Sequence, residues 1–400
     1  MALRRLDEVG AAAANRRARV AVAALFLTNG ALFANLLPRY PEIKTDLGLS
    51  NAAYGFAIAA FSAGALVAGP AAAALIRRFR SSRVAVVGSI GIAVFVFVAA
   101  LAPSAVAVAS ALFVAGGSDA VTDVGQNAHA LRLQRKYGRS IINSMHAVWS
   151  AGAVLGGAMG AAAIALDIPR TTHLAVSAAL FSAVVLAAYP FLLPGPDEDD
   201  HPSADGEATG RPGIAVCATL TALVLIAISG AVVEDAGSSW ATVYLRDSIG
   251  TSGAVAVSGY IAMVGSQFVG RLIGDRLVDR FGERAVARAG GLITAAGMGA
   301  ALAFPNAIGT VAGFAAAGFG VATLVPAAMH GADQLPGLRA GTGLTAVTWL
   351  MRIGFVSSPP VVGLIADATS LRIGLLVVPA AGVAVMLLAG ALSPRRPPSR

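Results

Sequence analysis

Two aspartates and an asparagine interrupt an apolar stretch of the chain. Asp119, Asp123 and Asn127 lie at positions i, i+4 and i+8 of the sequence GGSDAVTDVGQNAHA. In a helix this spacing places the three side chains on one face. Ionisable groups inside a membrane helix are costly, and those that persist commonly carry protons or bind solutes. We therefore predict that Asp119 and Asp123 couple protons and that Asn127 lines a solute cavity. The alternative is a fixed, hydrogen-bonded tie to a neighbouring helix.

His146 and Trp149 follow in the next apolar run. His146 lies about seven residues after Arg139, and Asp123 lies about nine residues before Arg132. Two consecutive antiparallel helices would place His146 and Asp123 at a similar depth. A His–Asp pair can relay a proton or bind a polar solute. Trp149 is a candidate for stacking on a solute ring, with plain packing as the alternative for both residues.

Arg352 interrupts another apolar run, TWLMRIGFVSSPP. An arginine without a counter-ion inside a membrane helix is strongly unfavourable. We therefore expect a carboxylate to face Arg352, either from the protein or from the solute itself. Trp349, about one helical turn away, could support that contact.

Glu234 and Asp235 lie among glycines and serines between positions 230 and 239. This composition predicts a broken or bent helix there. The two acids would then belong to the cavity or to an external gate, unless they only solvate a loop. Three amides within apolar runs complete the predicted cavity: Asn29, Asn35 and Gln267.

The composition indicates a membrane protein with several spans. Of 400 residues, 56% are hydrophobic and 12% are charged, whereas soluble domains carry about 25% charged residues. The net charge of +8 comes from short basic clusters between apolar runs, which indicates membrane topology and argues against a nucleic-acid partner. Cys217 is the only cysteine, so no disulfide forms within the chain. The scarcity of lysine, with much arginine and alanine, is typical of a GC-rich bacterial genome.

Twelve apolar runs are long enough to cross a membrane, which takes about 20 residues. The runs are 19–38, 51–76, 84–102, 105–131, 139–166, 172–193, 213–243, 252–277, 285–303, 307–330, 340–366 and 371–392. Basic residues are concentrated before the first run and after the second, fourth, eighth and twelfth. The predicted fold is therefore all-α with twelve transmembrane helices in the cytoplasmic membrane, and both termini are predicted to be cytoplasmic.

The two halves of the sequence repeat each other at a shift of about 200 residues. NGALF (29–33) aligns with SGAVV (229–233), and RFRSSR (78–83) aligns with RFGERA (280–285). We predict a six-helix half at 1–193, a flexible acidic cytoplasmic linker at 194–212 and a second six-helix half at 213–400. Transporters with such parallel repeats bind solute between the halves, near the membrane midplane.

The loop GDRLVDRFGER (274–284) resembles a signature of the major facilitator superfamily, roughly G-x-x-x-D-R-x-G-R-R. In the first half Arg77 and Arg80 occupy the positions of the signature's Asp and second Gly. The resemblance implies a charge-relay latch on the cytoplasmic side, formed by Asp275, Arg276, Asp279, Arg280 and Arg284.

A narrower resemblance rests on Asp123-x-x-x-Asn127 followed by His146 and Trp149, and on LLPRY (36–40). These motifs are similar to those of the fucose permease-like branch of proton/sugar symporters. That branch has a Gln and an Asn where His146 and Trp149 stand here. The resemblance implies proton-coupled import of a sugar or another polar metabolite.

We therefore predict a secondary active transporter that works by alternating access. Its partners would be a small solute, H+ and membrane lipid, and it would act as a monomer without a cofactor or metal. The alternative is a proton-driven drug or metabolite efflux antiporter, because GAVLGGAMG (152–160) and GFVSSPPVVG (354–363) resemble the Gly/Pro motif of such antiporters. Close helix packing explains these glycines equally well. The sequence has no phosphate loop, His-Glu-x-x-His or Gly-x-Ser-x-Gly motif, so we do not predict an enzyme.

Overall fold

The computed structural model describes residues 2–137, 141–195, 213–336, 338 and 342–393. It contains twelve helical segments that are long and apolar enough to cross a membrane. These are α1 (Ala14–Asp46), α2 (Asn51–Phe79), α3 (Ser81–Leu101), α4 (Ala105–Tyr137), α5 (Ser144–Ala165), α6 (Arg170–Phe191), α7 (Ile214–Ser248), α8 (Gly253–Phe281), α9 (Glu283–Ala303), α10 (Ala307–Asp333), α11 (Thr342–Ala368) and α12 (Leu371–Ala391). The predicted all-α membrane fold is confirmed.

Several of these segments change helical geometry part of the way along. A 3-10 turn at Leu37–Arg39 interrupts α1, and another at Gly69–Ala71 interrupts α2. The last residues of α7, Tyr244–Ser248, form a π-helical turn. In α11, one helix ends at Leu350 and the next begins at Arg352.

The described residues cluster into two compact units. Unit 1 comprises Met1–Arg39 and Ala60–Asp199, and unit 2 comprises Tyr40–Ala59 and Asp200–Arg400. In unit 1, α1 packs along α5 and α6, and α3 packs along α4 and α6. Unit 2 repeats this arrangement, because α7 packs along α11 and α12, and α9 packs along α10 and α12. Of the predicted linker at 194–212, only Pro194 and Gly195 lie within the described residues.

Segment Tyr40–Ala59 is bound within unit 2 by polar contacts. The Asp367 carboxylate accepts the backbone N–H groups of Asn51 and Ala52, each at 2.8 Å. These are the first residues of α2, so Asp367 caps that helix from α11. The Tyr54 hydroxyl donates to the carbonyl of Ser239 at 2.6 Å.

Arginines at the start of α6 and α12 cap corresponding helices of the two units, α3 and α9. Arg170 Nε donates to the carbonyl of Ala100 at 3.1 Å, and Arg372 Nε donates to the carbonyl of Leu302 at 2.5 Å. These acceptors lie at the C-terminal ends of α3 and α9, where carbonyl groups have no partner within the helix. The predicted internal repeat is thus also visible in side-chain contacts.

The turn that precedes α3 has the same backbone conformation as the turn that precedes α9. Arg80 has φ 75° and ψ 147°, and Gly282 has φ 84° and ψ 152°. Glycine adopts this region readily, whereas an arginine there is strained. The first half has therefore retained the backbone conformation of the signature turn after losing its glycine.

Candidate functional site

Asn29 lies at the centre of a polar cluster in unit 1. Its Nδ2 donates to Asp119 Oδ1 at 2.8 Å, and its Oδ1 accepts from the indole N–H of Trp149 at 2.7 Å. Gln126 Nε2 makes a longer contact with the same Oδ1, at 3.4 Å. Asn29 is 4% exposed and Gln126 is fully buried. One amide thus joins side chains from α1, α4 and α5.

The orientation of the Asn29 amide follows from its partners. An indole nitrogen can only donate a hydrogen bond, so the oxygen of Asn29 must face Trp149. The Asn29 amino group then faces Asp119, which accepts through a carboxyl oxygen. Asp119 is therefore positioned by a chain of hydrogen bonds that begins on α5.

Glycines allow α1 and α5 to approach closely enough for these bonds. A Cβ on Gly30 would lie 2.1 Å from the carbonyl oxygen of Trp149, and one on Gly152 would lie 2.2 Å from that of Leu27. A Cβ on Gly156 would lie 2.4 Å from the carbonyl oxygen of Ala31. These contacts account for the glycines of GAVLGGAMG as helix packing in lipid.

Asp123 and Asn127 form a second pair on α4. Asn127 Nδ2 donates to Asp123 Oδ1 at 2.9 Å and to the Asp123 carbonyl at 2.8 Å. On α5 the exposed ring of His146 packs edge-on against Phe26, with ring centroids 5.4 Å apart. The Asp123–Asn127 bond joins two residues of the same helix, in contrast to the bond between Asn29 and Asp119.

Asn35 does not belong to the Asn29 cluster. It is fully buried, donates to the Ala31 carbonyl and contacts His173 Nε2 at 2.9 Å. Arg39 Nε lies 3.4 Å from the other ring nitrogen of His173, and the Arg39 guanidinium also donates to the carbonyl of Ile168. The Asn35 amide thus joins α1 to α6 at a place separate from the Asn29 cluster.

Unit 2 carries a separate polar cluster on α7 and α8. Gln267 Nε2 donates to Glu234 Oε2 at 2.9 Å, and Arg271 lies 3.6 Å from the same oxygen. The side chains of Arg271 and Glu234 are 38% and 25% exposed. The structure therefore brings together two predicted cavity residues and adds an arginine to them.

Asp235 lies beside that cluster but binds elsewhere. Its Oδ1 accepts from Ser239 Oγ at 3.3 Å, and its buried Oδ2 has no hydrogen-bond partner among the described residues. Of the two alternatives expected between positions 230 and 239, a break is absent, since one α-helix continues from Ile214 to Val243. Gly237 fits there because α8 packs directly on it, and a Cβ would collide with Met263 Sδ.

Arg352 is the first residue of the longer helix in α11. Its neighbour Gly354 packs against α7, where a Cβ would lie 2.8 Å from the Ile228 carbonyl oxygen. Within the described part of the chain, Arg352 forms no ion pair with any carboxylate. Trp349, one turn earlier, is 52% exposed.

Four residues of the predicted latch are exposed near the end of α8, and the fifth, Arg284, lies at the start of α9. Among the described residues, Asp275, Arg276 and Asp279 take part in no ion pair. The Arg280 guanidinium lies over the Phe281 ring, 5.3 Å from its centroid. Arg284 donates to the carbonyls of Gly390 and Leu392 and so caps the end of α12.

Sequence reasoning missed Gln126, Arg271, Arg39 and His173. Arg271 was identifiable, because it is an ionisable residue inside a predicted span and one turn from Gln267. His129 was also missed. It is fully buried on α4, where its Nδ1 lies 2.9 Å from Ser81 Oγ and its Nε2 accepts the Leu193 N–H.

Comparison with known sequences identifies the family. The family model of the Major Facilitator Superfamily matches residues 22–277. An uncharacterized transporter, y4wD, of Sinorhizobium fredii is 30% identical, over 93% of this chain and 97% of that protein. Membrane protein MosC of Rhizobium meliloti is 28% identical, over 91% of this chain and 88% of that protein.

Comparison with solved structures gives the same fold. The nucleoside transporter NupG superimposes with a TM-score of 0.73 at 12% identity, over 93% of this chain and 97% of that one. The transporter FucP in its outward conformation gives 0.59 at 18% identity, over 93% of this chain and 97% of that one. Twelve membrane-spanning helices, the family match and these relatives together show that the chain belongs to the Major Facilitator Superfamily.

Proposed function

We propose that this protein is a secondary active transporter that moves a small polar solute by alternating access, coupled to H+. The Asn29 cluster supports this proposal most strongly, because it concentrates a carboxyl, two amides and an indole N–H inside membrane-spanning helices. A helix bundle that only had to be stable in lipid would not need an acid there. The transporters among its relatives agree with this function.

We assign proton uptake to Asp123. Asn127, on the same helix, donates to the Asp123 carboxyl at 2.9 Å, and this bond stays within α4 when the charge of Asp123 changes. Asp119 is bonded to α1 through Asn29. Hydrogen bonds to an ionised carboxyl are roughly twice as strong as neutral ones. Loss of the Asp119 charge would therefore loosen α1 from α4, which makes Asp119 a suitable coupling residue. His146, on the neighbouring helix, is the proposed proton exchange partner.

Each unit by itself carries polar residues that we propose as solute contacts. From unit 1 we propose Asn29, Asn127 and Trp149, and from unit 2 Glu234, Gln267 and Arg352. Asp235 is proposed as a neighbour of the solute contacts in unit 2. The charged latch at the end of α8 would form its ion pairs at another step of the cycle. The basic clusters support cytoplasmic termini in a bacterial cytoplasmic membrane.

The test is solute flux in proteoliposomes under an imposed pH gradient. We expect uptake of a polar solute from a panel of sugars, polyols, nucleosides and organic acids, and we expect a protonophore to abolish the accumulation. Flux that is unaffected by the protonophore would contradict proton coupling. Accumulation of solute only under the opposite pH gradient would identify the protein as an efflux antiporter. The glycine motifs give no separate support to that alternative, because helix packing explains them.

A further inference from the structure

Arg352 and Arg271 lie on two sides of α7. Both α8 and α11 pack against α7. Along α11, Gly354 packs at Ile228 and Ala231, and Ser358 donates to the carbonyl of Val232. The helices α7 and α11 therefore run in the same direction, and Arg352 lies beside the stretch just before Ile228–Ala231.

The position of Arg271 along α7 follows in the same way. A Cβ on Gly237 would meet Met263, and Gln267 bonds to Glu234. Because α8 runs antiparallel to α7, Arg271 lies about one turn beyond Glu234, near position 230. The two arginines thus flank α7 within about one helical turn of each other, or roughly 5 Å along its axis.

The described residues do not balance the charge at this level. Glu234 accompanies Arg271, and the nearby Asp235 accepts a hydrogen bond from Ser239. Among the described residues no carboxylate pairs with Arg352. Within the part of the chain that the structure describes, this positive charge in a membrane-spanning helix has no carboxylate partner, which is costly unless a ligand supplies the negative charge.

We propose that Arg352 binds the negatively charged group of the transported solute, so that the solute is a small organic oxyanion. A guanidinium presents planar paired donors that match a carboxylate or a phosphate. Arg271 is already paired with Glu234, so it adds no unbalanced positive charge at this level. This inference rests on the proposed transport function for its biological meaning, but binding can be measured without transport.

The experiment measures thermal unfolding of the purified, detergent-solubilised full chain with matched solutes. The pairs are glucuronate with glucose, lactate with propane-1,2-diol, and glucose 6-phosphate with glucose. We expect at least one anion to raise the melting temperature and its neutral partner to have no effect. The carboxylate and phosphate arms separate the two sources of negative charge.

Variants at Arg352 separate a binding role from a structural one. Arg352→Gln should weaken anion binding about 10- to 100-fold, since it removes a charged hydrogen-bond donor. The same variant should unfold without ligand at an equal or higher temperature, because the cation it removes pairs with no carboxylate among the described residues. Arg352→Lys should retain part of the affinity. Arg372→Gln is the control, and it should lower the melting temperature while keeping the anion effect, because Arg372 caps α9.

Three outcomes would overturn the proposal. They are equal stabilisation by the anion and its neutral partner, no effect of any anion on the wild type, and a large drop in the ligand-free melting temperature of Arg352→Gln. If proton-driven flux of a neutral solute is found and Arg352→Gln leaves it unchanged, the proposed transport function stands and the anion inference fails. If anions bind but no flux occurs, the transport function fails and the anion site stands.

Discussion

Replacing Asn29 by aspartate tests the polar cluster at its centre. The substitution keeps the shape of the side chain but exchanges the amino donor for a second oxygen. Asp119 then loses a donor at 2.8 Å, whereas the indole N–H of Trp149 keeps an acceptor. A hydrogen bond to a charged group contributes about 1.5–3 kcal/mol in soluble proteins. Interhelical bonds in membranes average about 0.6 kcal/mol with a maximum near 1.7. We expect Asn29→Asp to cost about 1.5 kcal/mol near neutral pH.

The pH dependence has a definite sign. Two carboxyls that face each other can share a proton, which restores one donor between them. The loss in Asn29→Asp should therefore shrink as the pH falls and persist as it rises. The assay is unfolding in mixed detergent and sodium dodecyl sulfate micelles, followed by circular dichroism at several pH values.

Substitution of Trp149 tests the other hydrogen bond of Asn29, the one that its oxygen accepts. Trp149→Phe removes one neutral donor and should cost about 0.6–1 kcal/mol. A double-mutant cycle with Asn29→Ala should give a coupling of similar size. Trp349→Phe is the control, since Trp349 is 52% exposed and has no hydrogen bond among the described residues. The bonding scheme would be refuted if Trp349→Phe cost as much stability as Trp149→Phe. It would also be refuted if the Asn29→Asp protein were as stable as the wild type at every pH.

Three pairs of substitutions test other parts of the fold, each by the same unfolding assay. Arg80→Gly should stabilise the protein by about 1–3 kcal/mol, because it relieves a strained backbone with φ 75°, and Gly282→Ala should destabilise it, because alanine is strained at φ 84°. A less stable Arg80→Gly protein would show that the turn is not strained. Gly156→Leu should prevent stable folding, since even a Cβ there would lie 2.4 Å from a carbonyl oxygen of α1, whereas Gly299→Leu should be tolerated because its Cβ would meet open space. Equal effects of the two substitutions would refute close packing of α1 and α5. Asp367→Ala should lower the free energy of unfolding by about 1 kcal/mol, because it removes a helix cap, and Asp367→Asn should retain part of the capping energy. No loss of stability in either variant would show that α2 needs no cap from α11.

The spans could be predicted from sequence because length and hydropathy alone define them. The predicted run at 371–392 corresponds to α12 at Leu371–Ala391, and the run at 105–131 lies within α4, which continues to Tyr137. The repeat was also predictable, because it persists in the sequence as matched motifs at a nearly constant shift. The sequence predicted a broken or bent α7, and the helix is continuous, because glycine composition does not show that Gly237 lies where Met263 packs against the helix.

The partners of the polar residues could not be predicted. Asn29 and Asp119 are 90 residues apart in sequence, and their bond depends on the packing of α1 against α4. Periodicity placed Asp119, Asp123 and Asn127 on one face, but it could not show that Asp119 accepts from Asn29 on α1 or that Asp123 accepts from Asn127. Asn35 and Asn29 looked equivalent from sequence, and only the positions of His173 and Trp149 distinguish them.

The most direct test of proton coupling compares two modes of transport in Asp123→Asn proteoliposomes. Exchange of labelled for unlabelled solute needs binding and alternating access but no net proton movement, whereas accumulation against a gradient needs both. We predict that Asp123→Asn retains exchange and loses accumulation driven by a pH gradient. Wild-type accumulation in Asp123→Asn would contradict the assignment of the proton site.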